Sequence, residues 1–183
     1  MSRQDNENKK SSFIKELLLW IAAIAAGILT AVFISNFIIV NAEIPSGSME
    51  NTIKPGDRIL GNRLAYLNSD PERFDIIIFR YPDDESQLFI KRVIGLPGET
   101  VEIRDGSIYI NGSDEPLQDV NIKEPMEGSF GPYTVPEDCY FVMGDNRNNS
   151  KDSRYWENTF VTKDEILGKA FFKYWPLNEM KAF

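Results

Sequence analysis

Two runs decide how this chain folds: Asp75-Ile76-Ile77-Ile78-Phe79 and Leu88-Phe89-Ile90-Lys91-Arg92-Val93-Ile94. Each is short and rich in β-branched and aromatic residues, and turn charges such as Asp83-Asp84-Glu85 separate them, which predicts strands rather than helices. Outward from them, Thr100 to Asn111 alternates, with Val101 and Ile103 before Asp105-Gly106 and Ile108 and Ile110 after it. That is a hairpin signal. Cys139 to Met143 and Ala170 to Trp175 read as further strands, separated by a short helical or turn stretch near Lys163 to Leu167. Residues 113–137 carry many Pro, Gly and acidic residues and read as an irregular excursion. The expected fold is mainly β, with an inserted hairpin region, roughly 104–137, between its halves.

Upstream, Leu17 to Val40 contains no charged residue. As a helix rising ~1.5 Å per residue this stretch crosses a hydrocarbon core of ~30 Å, so 17–40 is expected to be a transmembrane helix. Residues 1–16 are polar and charged and read as a disordered cytoplasmic tail. Cationic residues precede the helix while Asn41, Ala42 and Glu43 follow it, so the positive-inside rule puts the N-terminus in the cytoplasm and residues 41–183 outside. The rival is a cleavable leader, since Val40-Asn41-Ala42 has small or aliphatic residues at the spacing that cleavage needs. Against it, the apolar stretch outruns the ~7 to 15 residues of a leader's apolar region, and Trp20 suits an interfacial anchor.

Composition narrows the chemistry. A net charge of -8 argues against a phosphate backbone as partner, so no nucleic acid is expected. The single cysteine, Cys139, excludes an internal disulfide, and no thiol or imidazole cluster offers a metal site, so no cofactor is expected. There is no histidine at all. Ser-His-Asp and Cys-His mechanisms are thereby excluded, and a hydrolase would need a carboxylate, a lysine, a tyrosine or the amino terminus as its base.

Three segments are odd for a packed β domain: Pro45-Ser46-Gly47-Ser48-Met49, Lys91-Arg92-Val93-Ile94-Gly95-Leu96-Pro97-Gly98, and Gly144-Asp145-Asn146-Arg147-Asn148-Asn149-Ser150-Lys151-Asp152-Ser153-Arg154. Taken singly they read as a linker, a hairpin rim and a solvated loop. Lys91 shares a strand face with Phe89 amid Ile90, Val93 and Ile94. The residues alone favour snorkelling, with its methylenes on the sheet and its ammonium in water. Were it buried, desolvation would lower its pKa, and a neutral amine can activate a serine hydroxyl.

In this order, the three segments resemble those of bacterial type I signal peptidases, and the likeness runs from the apolar helix to the last strand. It implies a signal-peptidase-like catalytic β domain behind one N-terminal transmembrane helix. It further implies a membrane-anchored serine endopeptidase that removes signal peptides from exported preproteins after small residues. By resemblance Ser48 is the nucleophile and Lys91 its general base. Ser46 contributes a hydroxyl to the oxyanion hole beside the amide of Ser48, Ser150 positions the lysine amine, and Asp152 pairs with Arg154. The partners implied are preproteins and the lipid bilayer, with no required protein partner inferred. Two positions depart from the commoner family pattern: Asn51, where proline often follows the Ser-Met pair, and Asn148, where aspartate is frequent.

Rival readings are a self-cleaving Ser-Lys repressor, an inactive binding domain and a metal hydrolase. The first carries a DNA-binding head where this chain has an apolar helix. The second is disfavoured by the presence of both Ser48 and Lys91, and the third lacks a ligand set.

Overall fold

The computed structural model describes residues 3–120, 122 and 124–183. It divides at Ile38 into an N-terminal helical unit and a β unit that runs from Ile39 to Phe183.

The helical unit is one helix, α1 (Arg3–Phe33), finished by a π-helical turn over Ile34–Ile38. Its apolar part, Phe13–Ile38, has 26 residues and would measure about 39 Å along the axis, enough to cross a bilayer. Leu19, Trp20 and Leu29 are each about 70 % exposed. A helix apolar on all sides and exposed on all sides suits a lipid surround, and it makes this segment a candidate membrane anchor. Residues 3–16 are helical rather than disordered; Met1 and Ser2 lie outside the described residues. Arg, Gln, Glu and Lys, good helix formers, supply half of that stretch, and extending an existing helix needs no new nucleus.

In the β unit, the strands in chain order are β1 (Ile39–Glu43), β2 (Arg58–Asn62), β3 (Ile76–Tyr81), β4 (Asp84–Gly95), β5 (Thr100–Arg104), β6 (Ser107–Ile110), β7 (Phe130–Thr134), β8 (Cys139–Met143), β9 (Val161–Thr162), β10 (Ile166–Trp175) and β11 (Lys181–Ala182). The main sheet has the order β1-β2-β10-β3-β4-β8-β9, and β11 joins β10. β6-β5-β7 form a second, three-stranded sheet. The inserted region therefore opens at Thr100, before the expected boundary near 104, because β5 is its central strand and pairs with both β6 and β7.

The apolar helix ends two residues earlier than the charge-free run predicts. Ile39 and Val40 belong to β1, opposite Asn62 and Gly61 of β2. Hydropathy reads both environments alike, whereas backbone pairing separates them. Likewise β10 starts at Ile166 rather than Ala170, since Ile166, Gly168 and Lys169 already pair with β3. The short helical turn expected near Lys163 shrinks to Lys163–Glu165, closed by a capping box in which Thr162 and Glu165 bind each other's backbone.

β3 and β4 are central strands with apolar groups on both sides. Ile76, Ile78 and Ile90 join Val40, Ile44, Met49, Ile53 and Ile59 in one core cluster, while Ile77, Phe79 and Val93 join Tyr140, Val142 and Trp156 in another. At about 25 cal/mol per Å², burying such side chains contributes roughly 1.5–3 kcal/mol each. A third cluster, including Ile94, Val101, Ile103 and Phe141, ties the small sheet to the main one.

Candidate active site

Lys91 lies in this doubly covered part of β4, directly opposite Ile77 on β3, and only 3 % of its surface is exposed. The snorkelling reading fails because the side chain is buried and its amine turns to Ser48 rather than to water. Its Nζ donates to Ser48 Oγ at 2.7 Å and to the Ile90 carbonyl at 3.1 Å, and it lies 5.2 Å from the centre of the Phe89 ring. Burial pulls the Lys91 amine down to about 8, against the opposing pull of the Asp152 and Asp145 charges. A substantial neutral fraction therefore exists at mildly alkaline pH.

Ser48 opens a tight turn in which Met49 C=O accepts from the amides of Thr52 and Ile53, with the Met49 side chain fully buried below. Buried Met49 anchors the turn and holds the hydroxyl up toward Lys91. Ser46 Oγ stands 3.4 Å from Ser48 Oγ. The third segment clamps this turn from the side: Asn146 N–H donates to Ser48 C=O at 3.1 Å, and Asn146 Nδ2 donates to Gly47 C=O at 3.0 Å.

Gly144 makes the clamp possible. A Cβ at that position would sit 2.3 Å from both Ser48 O and Ser150 Oγ, so no other residue allows the approach. Ser150 is thereby brought against the nucleophile segment, and its buried hydroxyl has no hydrogen-bond partner among the described residues. Asp152 pairs with Arg154, with Nε to Oδ1 at 2.8 Å, and also accepts from the Gly144 amide at 3.0 Å. All six residues expected at the site thus fall in one neighbourhood.

Residues not foreseen as participants complete it. Arg92 and Asp145 form a buried, two-pronged ion pair, both bonds 2.7 Å, and Thr52 Oγ1 donates to the same carboxylate. Arg147 is fully buried; it donates to Gly144 C=O at 2.9 Å and pairs with Asp119 of the inserted region. Asn148, the departure noted above, is a stitch: its side chain accepts from Glu127 N–H and donates to Pro125 C=O. Asn51 adopts a left-handed φ of 98°, which the fixed ring of a proline forbids.

A groove of about 180 Å³ is lined by Ala42 and Ile44, by Leu88 and Ile90 of β4, and by Ser48 and Lys91. Successive antiparallel pairings from β1 through β2, β10 and β3 to β4 make β1 and β4 run in the same direction. An extended peptide fits between two such strands by backbone pairing. Among the described residues no cluster of three or more acidic or thiol side chains is placed to hold a metal.

Comparison with known proteins gives this arrangement a class: the chain is a serine peptidase. Its residues 17–175 match the family model described as "Signal peptidase, peptidase S26". A probable signal peptidase I-2 of Synechocystis is 41% identical over 155 residues, covering 82% of this chain and 69% of that one. Signal peptidase I of Bacillus amyloliquefaciens is 38% identical over 184 residues, covering 96% and 97%. Signal peptidase I S of Bacillus subtilis is 37% identical over 188 residues, covering 98% of each. The chain belongs to the signal peptidase family, peptidase S26.

Proposed function

We propose that this chain removes N-terminal signal peptides from exported preproteins, using Ser48 as nucleophile and Lys91 as general base. The observation that carries the reading is the 2.7 Å bond between Lys91 Nζ and Ser48 Oγ, made by an amine that burial holds down to about 8. With the amine neutral, Ser48 gives its proton to Nζ while Oγ attacks the scissile carbonyl. The carbonyl oxygen gathers negative charge, and the Ser46 hydroxyl, next to Ser48 Oγ, is a donor for it together with the Ser48 amide. Lys91 then hands the proton to the leaving amine, an acyl ester remains on Ser48, and water attacks that ester with Lys91 again as base.

Supporting roles come from the resemblance: Ser150, buried beside Gly144, is the residue that would position the lysine amine, and the Asp152–Arg154 pair holds the loop that carries Ser150. The resemblance implies small side chains at the first and third positions before the cut, and the groove lined by residues of β1 and β4 suits such a peptide as an added strand. The apolar helix Phe13–Ile38 serves as an anchor in the bilayer, with the N-terminus cytoplasmic and the β unit outside. A nucleophile ten residues beyond Ile38 stays within ~36 Å of the helix end. A cleavage point just beyond a membrane-inserted signal peptide lies at such a height. The partners are the preprotein and the lipid bilayer; neither nucleic acid nor a further protein is needed for these steps.

The test is incubation of the purified chain with a preprotein, with and without Ser48→Ala. Cleavage after a small residue that requires Ser48 is expected. Undiminished cleavage by the folded variant would overturn the reading.

A further inference from the structure

A second cavity, of about 280 Å³, lies in the inserted region, with Ile108, Leu117, Ile122 and Met126 in its mainly apolar lining. Its wall is fastened to the catalytic neighbourhood at four points. Ile122 C=O accepts from Asn51 Nδ2, three residues past Ser48, at 3.3 Å. Asp119 pairs with Arg147 at 2.8 Å, Pro125 C=O accepts from Asn148 Nδ2 at 3.0 Å, and Met126 Sδ accepts from Arg154 at 3.4 Å. All four of these residues also line the cavity.

The groove that approaches Ser48 includes no residue of the inserted region. The cavity is fastened instead to Asn51 and to the loop from Arg147 to Arg154, and it shares no lining residue with the groove. We infer that it receives an apolar side chain from the segment of substrate that follows the scissile bond. This rests on the peptidase reading above.

Reach and size agree with that occupant. Asn51 is three residues from Ser48, at most ~11 Å of chain, so an extended substrate advancing ~3.3 Å per residue brings its third or fourth residue past the cut to the lip at Ile122. A volume of about 280 Å³ falls just under the ~300–1,000 Å³ of pockets that enclose whole ligands, which suits a side chain better than a free molecule. Glu124 and Glu127 are exposed on the same loop and repel a carboxylate there. The pocket therefore selects leucine-like groups over polar ones and disfavours acids.

The experiment uses the full chain and a set of signal-peptide-bearing peptides that differ only at the third and fourth residues after the cut, carrying Leu, Ser or Asp. The expected order of kcat/KM is Leu, then Ser, then Asp, with Leu ahead of Ser by about 10-fold, the effect of one well-buried aliphatic group. In Ile122→Ser and in the cavity-filling Leu117→Phe the Leu to Ser ratio falls toward one. Equal rates for Leu and Ser at both the third and the fourth positions would overturn the inference while leaving Ser48-dependent cleavage intact. A preference that survives in both variants would overturn it too, and absence of any Ser48-dependent cut would overturn the peptidase reading itself.

Discussion

Lys91 Nζ sits 2.7 Å from Ser48 Oγ, closer than the amine lies to the Ile90 carbonyl, 3.1 Å, and closer than the hydroxyl lies to Ser46 Oγ, 3.4 Å. Ser48→Ala and Lys91→Ala are each expected to abolish cleavage and to leave the circular dichroism of the β unit unchanged. Rates of cleavage of a preprotein check this, and substantial turnover by either folded variant would reassign the pair.

The acid limb of the pH profile follows from the amine. On the proposed mechanism the reacting form is neutral Lys91, whose pKa burial lowers to about 8, so kcat/KM should rise with pH through that value and favour mildly alkaline conditions. Lys91→Arg should not rescue, because a guanidinium stays protonated. A limb centred near 4 to 5, the range of carboxylates, would transfer the role to an acid.

The same burial makes Lys91 a burden to the fold. Its folded pKa is depressed, so below about 8 the amine is charged in both states and the buried ammonium destabilises the folded one; as pH rises toward the unfolded value the penalty disappears. Lys91→Met should therefore be more stable than the parent at pH 7, by about 1–3 kcal/mol, and the advantage should shrink by pH 10. Denaturant midpoints at the two pH values measure it.

Removing Ser46's hydroxyl should be milder than removing Ser48's. If one of two oxyanion donors is lost, Ser46→Ala slows the reaction about 10² to 10³-fold, with little change in KM. An unaltered kcat would leave Ser46 as backbone scenery.

Arg92 and Asp145 are 6 % and 0 % exposed, so each keeps the other from being a bare buried charge. Asp145→Ala should cost about 3–5 kcal/mol of stability and should also loosen Thr52, which donates to the same carboxylate. A melting curve close to that of the parent would contradict this account.

Patterns local to the chain were legible before any coordinates. Alternation in 100–111 and the apolar runs at 75–79 and 88–94 predict strands that do form, because their signal comes from neighbouring residues. The resemblance carried Ser48 and Lys91. What escaped was set by partners far along the chain: Lys91's burial depends on Ile77, and Asp145 meets Arg92 across 53 positions. Arg147 meets Asp119 across 28. Charge alone cannot say which of 28 acidic residues an arginine will find. Asn148, where aspartate is frequent in the family pattern, is a hydrogen-bonding bridge, since its amide both donates and accepts where a carboxylate only accepts.

Val40 closes the apolar run yet is the second residue of β1, and its side chain occupies the space a Cβ on Gly61 would need, 2.6 Å away. That dual membership dictates where the chain can be cut to obtain a water-soluble enzyme. A fragment beginning at Asn41, the residue after Val40, would discard a core side chain and leave a hollow over Gly61. One beginning at Ile39 keeps the whole of β1 and carries only two extra aliphatic residues into solution.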